Sequence, residues 1–220
     1  MYLGSVKKTG GRSLSGLLIN NIILLALFTA AGLMLLLLVH LIPAGRQQQH
    51  VREALPAIEA EFVQSALIDG YPGSFTGGFT DCLMLENAVY KNPIHSALEQ
   101  ALLMYRGESG EGDGWATGYS LVDFLNGEEQ TREISYARYW HGYLVVLKPL
   151  LYLTNFNTIR LLQASVQLLL AGFVVIAFSG KKQVFPAKAF IMSMPFLYFF
   201  SMYASLSLSI CYYLVAGALL

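Results

Sequence analysis

The residues from Ile22 to Val39 form an uncharged apolar run, and this run constrains the fold more than any other feature. A helix rises ~1.5 Å per residue, so a run of this length can cross the ~30 Å hydrocarbon core of a bilayer. Leu161 to Phe178 is a second run of this kind, and Ala189 to Leu220 is a third that carries no charge. We therefore expect an all-α integral membrane protein.

The charged residues are divided as sharply as the apolar ones. All fourteen acidic residues lie between Glu53 and Glu133. The flank before the first run and the flank after the second carry only bases, and the positive-inside bias places both in the cytoplasm. Residues 43–157 then lie outside with fourteen acids and seven bases, a net charge of −7. This acidity argues against a nucleic-acid partner, which would need clustered cations. The flanking bases are Lys7, Lys8 and Arg12, then Lys181, Lys182 and Lys188.

These runs predict three to four transmembrane helices and one large, mostly helical extracytoplasmic loop between the first two. The first run is longer than the ~7–15-residue core of a signal peptide, which favours an uncleaved anchor over a cleaved signal. The last run stops at Leu220 with no polar tail, so we expect the chain to be the front part of a longer protein. The predicted division is a cytoplasmic tail 1–16, a first span 17–42, the loop 43–157, a second span 158–180, a cytoplasmic loop 181–188, and one or two spans in 189–220.

Periodicity predicts several helices within the loop. They are Leu55–Asp69, a helix from Thr80 or Asp81 to Tyr90, Ile94–Tyr105, a short helix Tyr119–Asn126, and an amphipathic surface helix at about 136–153. Pro56 is expected only in a first turn, so residues 47–54 are predicted to be a separate turn or a kinked extension. Gly107 to Gly118 is predicted to be a flexible acidic loop.

Asp81 is the acidic residue best placed for chemistry. It follows Gly77-Gly78-Phe79-Thr80 and precedes an apolar helix. One interpretation is a helix N-cap, in which the carboxylate accepts a backbone N–H at the positive end of the helix dipole, and the spacing alone favours it. The other is a general base or a ligand of a divalent Mg or Mn ion, because the glycines would let a substrate approach the backbone.

The segment 136–143 is the densest cluster of polar and aromatic residues. It fits an interfacial belt, in which Tyr and Trp settle at the level of the lipid headgroups. It also fits a binding site for a lipid-linked phosphate and its sugar. In the second interpretation the residues concerned are Arg138 and Lys148 for the phosphate, Tyr139 and Trp140 for a sugar face, and His141 for a proton or a metal.

Other common sites find no support in the sequence. The histidines follow no HxxxH or HExxH spacing, so a dedicated zinc site is not expected. The carboxylates Glu108, Glu111 and Asp113 match no calcium loop and are interpreted as a solvated turn. Cys82 lies in the outside segment and Cys211 in an apolar run, so they cannot form a disulfide framework.

The order of these segments resembles the N-terminal part of polytopic GT-C-type glycosyltransferases, which use polyprenyl-phosphate sugars. The resemblance covers roughly residues 20 to 180 and extends to bacterial multi-pass membrane proteins with similar FTD and RYWHG segments. The segments that carry it are FTDCLMLENAVY (79–90), YARYWHGYLVVLKPLLYL (136–153) and NFNTIRLLQASVQLLLAGFVVIAF (155–178).

The resemblance implies that Asp81 is a catalytic acid of a bacterial plasma-membrane enzyme. That enzyme would transfer a sugar from a polyprenyl-phosphate donor to an acceptor in the cell envelope. The alternative is a non-enzymatic integral membrane protein whose outer segment binds a partner or a lipid. The two hypotheses differ in whether Asp81, Arg138 and His141 converge on one cavity.

Overall fold

A computed structural model describes residues 14–59, 68–70, 77–109, 116–128, 130, 132–139, 141–180, 184–193, 205–207 and 209–219. Within these ranges the chain is mostly helical, as expected. Its helices are α1 (Leu14–His40), α2 (Ala44–Glu59), α3 (Gly78–Val89), α4 (Ala97–Leu103), α5 (Ala116–Asn126), α6 (Leu144–Leu153), α7 (Phe156–Gly180), α8 (Val184–Ser193) and α9 (Ser209–Leu219). Its strands are β1 (Tyr105–Glu108) and β2 (Arg132–Ser135).

Two helices are long and apolar enough to cross a membrane, Ser15–His40 and Phe156–Phe178. The first exposes large apolar side chains along its length, including Ile22, Leu25 and Phe28. A helix that is apolar all round is stable in hydrocarbon but not in water. The exposure therefore favours a bilayer around α1.

Helix α2 is amphipathic and forms one wall of the core. Its buried positions recur at helical spacing: Ala44, Gln47, Val51, Ala54, Leu55 and Ile58. The helix runs without a break through Pro56, where the sequence predicted a turn or a kinked extension. Pro56 is exposed, so the backbone hydrogen bond it removes lies on the water-facing side while the buried face holds the helix together. Residues 60–67 of the predicted helix Leu55–Asp69 lie outside the described residues.

Polar side chains of α2 donate hydrogen bonds to carbonyl groups of three other helices. Gln48 Nε2 lies 3.1 Å from the Val89 oxygen at the end of α3, and His50 Nδ1 lies 2.7 Å from the Leu151 oxygen in the last turn of α6. Arg52 donates to the Leu125 oxygen in the last turn of α5. The last four carbonyls of a helix have no intrahelical partner. Helix α2 therefore satisfies the carboxyl ends of α3, α5 and α6 while its apolar face packs against the same helices.

A small two-stranded antiparallel sheet takes up part of the predicted acidic loop. Strand β1 pairs with β2, and Glu108 lies opposite Arg132, whose side chain it binds. The pairing joins segments on either side of α5 and places Arg106 with its side chain buried. The predicted surface helix is also shorter than expected, because α6 begins at Leu144 and residues 137–138 and 142–143 form turns.

The helices of the last apolar run pack against the second candidate span. Val174 of α7, Phe190 of α8, and Tyr212 and Ala216 of α9 form a separate apolar cluster. The helix α8 begins at Val184, inside the predicted loop 181–188. Residues 194–204, where the two predicted spans would be joined, lie outside the described residues, as do 1–13 of the predicted tail.

The core around α3 gives a direct test of this packing. Leu85 is fully buried in the core cluster, whereas Leu102 on α4 is 50% exposed. We expect Leu85→Ala to lower the free energy of unfolding by about 2–5 kcal/mol, because it removes buried methyl groups and leaves a cavity. Leu102→Ala should change it by less than about 0.5 kcal/mol. Unfolding of both variants in the same detergent checks the difference, and equal losses would contradict the assigned core.

Candidate functional site

Asp81 lies in the first turn of α3 and binds the turn that leads into α9. The Leu206 backbone N–H donates to one carboxylate oxygen at 3.0 Å. The Ser207 backbone N–H and the Ser205 hydroxyl donate to the other at 2.8 and 3.0 Å. Asp81 is 4% exposed, and its side chain does not cap its own helix. The carboxylate therefore caps a turn more than 120 residues away along the chain.

Two opposing effects set the protonation of Asp81. Burial raises its pKa, because a charged carboxylate loses its hydration in the protein interior. The hydrogen bonds from Ser207 and Leu206 and the charge of Arg160 act in the opposite direction, and burial is the larger effect. Both carboxylate oxygens accept hydrogen bonds from the turn and the side chain is buried, so in this conformation the carboxylate is shielded from an incoming hydroxyl.

The aromatic segment 136–143 forms a packed cluster. His141 is buried; its Nε2 lies 2.8 Å from the Tyr136 oxygen and its Nδ1 lies 3.3 Å from the Tyr143 hydroxyl. Burial lowers the pKa of His141. Arg138 is exposed, and its guanidinium lies 5.6 Å from the centre of the Tyr139 ring. Trp140, the fourth predicted ligand of this segment, lies outside the described residues.

Lys148 is the predicted phosphate ligand that the structure places most unusually. It is 3% exposed on α6, and its ammonium group donates to the Ala88 oxygen near the end of α3. Burial lowers its pKa to about 7, and the nearby charge of Lys91 acts in the same direction. No carboxylate of the described residues forms an ion pair with it.

Lys148 lines a cavity of about 200 Å³ at the point where α1 ends. The polar lining residues are His40, Tyr90, Lys91, His95, Gln100 and Lys148, and the others are Leu41, Ile42, Ala44 and Ala97. The cavity thus brings Lys148 together with bases that sequence reasoning did not connect to it. Asp81, Arg138, Tyr139 and His141 are not among its lining residues.

Sequence reasoning did not identify the partners of two further carboxylates, Glu86, which is buried, and Glu133, which joins three side chains. Glu86 is fully buried, and its carboxylate lies 3.3 Å from the Arg106 guanidinium. Burial raises the pKa of Glu86 to about 8, and Arg106 offsets only part of that shift. Glu133 binds the Tyr90 hydroxyl, the Asn92 amide and the His95 ring. The sequence signal for the pair of Glu86 with Arg106 was a single Glu on an apolar helix, because a buried charged group is stable only when it is paired.

The described residues contain no group of three His, Cys, Asp or Glu side chains able to hold a metal ion. Comparison with known proteins adds no family to this geometry. The chain matches no protein-family model, no curated protein and no solved structure. The role of the site must therefore be inferred from its own chemistry.

Asp81→Asn tests whether this carboxylate holds the turn 205–207. The amide has one acceptor oxygen, so its NH₂ group would face one of the turn's donors, and a buried donor would lose its partner. We expect the free energy of unfolding to fall by about 1–3 kcal/mol. Asp123→Asn, on a partly exposed position of α5, is the control and should be near neutral. Equal behaviour of the two variants would contradict the assigned contact.

Lys148 should make stability depend on pH in a definite direction. Its pKa in the folded chain, about 7, lies below its ordinary value of 10.5, so the unfolded chain binds more protons between these values. The cost of burying the ammonium is thus fully present below pH 7 and is relieved as the pH rises toward 10.5.

Melting curves of wild type and Lys148→Met between pH 6 and 10 check this. We expect wild type to gain on the variant by on the order of 1–3 kcal/mol as the pH rises through this window. Lys188→Met, at an exposed position of α8, is the control and should show no such trend. A pH-independent gap between wild type and Lys148→Met would show that the ammonium is hydrated.

Proposed function

We propose that this chain is an integral membrane protein of the cell envelope whose segment between the two candidate spans binds lipid at the membrane surface. In this proposal Asp81 is structural and transfers no sugar. The observation that carries it is the burial of Asp81 beneath the turn 205–207, whose donors bind both carboxylate oxygens. A general base needs an oxygen within hydrogen-bond reach of the hydroxyl that it deprotonates.

The position of α4 and α6 supports a surface that faces the membrane. Both helices pack against α1. Ile94, which precedes α4, is 84% exposed. On α4 itself, Leu98 is 48% exposed and Leu102 is 50% exposed. Apolar side chains exposed beside a membrane helix are stabilised by contact with the acyl boundary of the bilayer. The lysines at the opposite ends of the two candidate spans support a location of this surface outside the cytoplasm, by the positive-inside bias.

Sugar transfer is the second candidate, and one observation favours it. Burial raises the pKa of Asp81, and a raised pKa suits a carboxyl group that must exchange a proton near neutral pH. This function would require the turn 205–207 to leave the carboxylate before the acceptor binds. The donor would be a polyprenyl-phosphate sugar and the acceptor an envelope component, with a divalent ion at Asp81 as its cofactor.

A transfer assay with two variants separates the candidates. Purified protein in nanodiscs is given a radiolabelled polyprenyl-phosphate sugar and envelope acceptor material. The variants are Asp81→Asn, which removes the acid, and Ser205→Ala, which removes one hydrogen bond to it and leaves the acid in place. The proposal predicts a lowered melting temperature for both variants and no sugar transfer that depends on Asp81.

Sugar transfer by wild type that disappears in Asp81→Asn and persists in Ser205→Ala would overturn the proposal. Such a result would make Asp81 a catalytic residue whose contacts with the turn are broken during turnover. Transfer that is equal in wild type and Asp81→Asn would not depend on this carboxylate and would leave Asp81 structural.

A further inference from the structure

The cavity at the end of α1 is built from groups that attract an anion. Two lysines, Lys91 and Lys148, and two histidines, His40 and His95, line it. No Asp or Glu of the described residues is among its lining residues. Glu133 binds Asn92 and two of the lining residues, Tyr90 and His95, and so offsets a charge on His95. Lys91 and Lys148 form no ion pair among the described residues, so their positive charge is not neutralised there.

Two buried polar side chains in the lining lack a hydrogen-bond partner. His40 is 7% exposed and its Nε2 has none, and Gln100 is 4% exposed and its Nε2 has none. A buried polar atom without a partner costs about 1–3 kcal/mol, so such atoms are normally satisfied by a ligand or by water. Two of them on one cavity point to a bound polar group.

The amino end of helix α2 lies at the cavity. Helix α2 begins at Ala44, which lines the cavity. The first N–H groups of a helix have no intrahelical partner and favour an anion. Two carbonyl groups in the last turn of α1 already have partners, because the Leu41 and Ile42 N–H groups donate to the Leu38 and Val39 oxygens.

We infer that this cavity binds a phosphate group, carried either by an acidic membrane lipid or by a soluble phosphate ester. Two ammonium groups repel a metal cation and attract an oxyanion, and several N–H donors suit the oxygens of a phosphate. A volume of about 200 Å³ compares with about 30 Å³ per molecule of liquid water, so it admits one phosphate with its first linkage. This inference rests on the proposed function and names the chemistry of its ligand.

The position of the cavity favours the lipid source. His40 is the last residue of the candidate span Ser15–His40, so the cavity opens at the depth where lipid phosphates lie. Burial lowers the pKa of Lys148 to about 7, and a phosphate beside it would hold the ammonium in its charged form. The other titratable groups around it are His40, Tyr90, Lys91 and His95.

Lipid and phosphate binding to the intact chain test this inference. Native mass spectrometry measures phosphatidic acid retained by the purified protein, with phosphatidylcholine as the neutral reference. Melting curves in detergent measure stabilisation by inorganic phosphate against chloride at equal ionic strength. The variants are Lys148→Met and His40→Gln, with Lys188→Met as the control at an exposed position away from the cavity lining.

We expect wild type and Lys188→Met to bind one of the two probes, and Lys148→Met to bind it about tenfold or more weakly, as loss of a charge-assisted contact predicts. His40→Gln should weaken binding less. Retention of phosphatidic acid without an effect of inorganic phosphate identifies a lipid source, and the reverse identifies a soluble ester. Lys148→Met should remain folded, because it removes a buried charge, and its melting curve verifies this.

The inference is overturned if neither probe binds, or if folded Lys148→Met binds as wild type does. These results are independent of the transfer assay. Phosphate binding together with transfer that depends on Asp81 would overturn the proposed function and leave the ligand assignment standing. Absence of both binding and transfer would overturn the ligand assignment and leave Asp81 structural.

Discussion

The carbonyl groups at the ends of short helices need hydrogen-bond donors, and the packing of the segment between the two candidate spans depends on supplying them. Each of α3, α5 and α6 ends with carbonyls that need donors. Helix α2 supplies them through Gln48, Arg52 and His50. Lys148 adds a donor to the end of α3. Because one helix satisfies three others, the segment can be held together with only a two-stranded sheet and with no disulfide among its described residues.

Backbone groups that need a partner also determine the role of Asp81, but here they are N–H groups and the carboxylate accepts from them. The N-cap prediction for Asp81 is wrong, because Gly77 is the N-cap of α3 and Asp81 lies in its first turn, where its carboxylate binds the turn 205–207. A carboxylate that joins the segment between the candidate spans to the turn before α9 contributes to their relative position. The positive charge of the cavity lies elsewhere, on Lys148 and its neighbours. The carboxylate that holds the turn and the lysines of the cavity are thus at separate places within one small segment.

The sequence predicted a mostly helical chain, which the structure confirms, and two of its helices are long and apolar enough to span a membrane. The uncharged apolar run was sufficient to predict α1, and local periodicity was sufficient to predict α3. Periodicity did not predict the pairing of β1 with β2, because a helix separates the two strands and neither strand shows a clear alternation of apolar and polar residues. It could not find the contact of Asp81 with Ser205, which joins residues 124 positions apart. The cavity was also missed, since His40, Lys91, Gln100 and Lys148 come from four separate segments.

Hydrogen exchange at the Leu206 and Ser207 amides tests the central claim, that the Asp81 carboxylate is committed to this turn. Both N–H groups donate to it, so we predict slow exchange in wild-type protein in nanodiscs and faster exchange in Asp81→Asn. Protection in wild type that is lost in the variant would support a structural Asp81. Exchange of both wild-type amides at the rate of free peptide would contradict the account, because the carboxylate would then be available for chemistry.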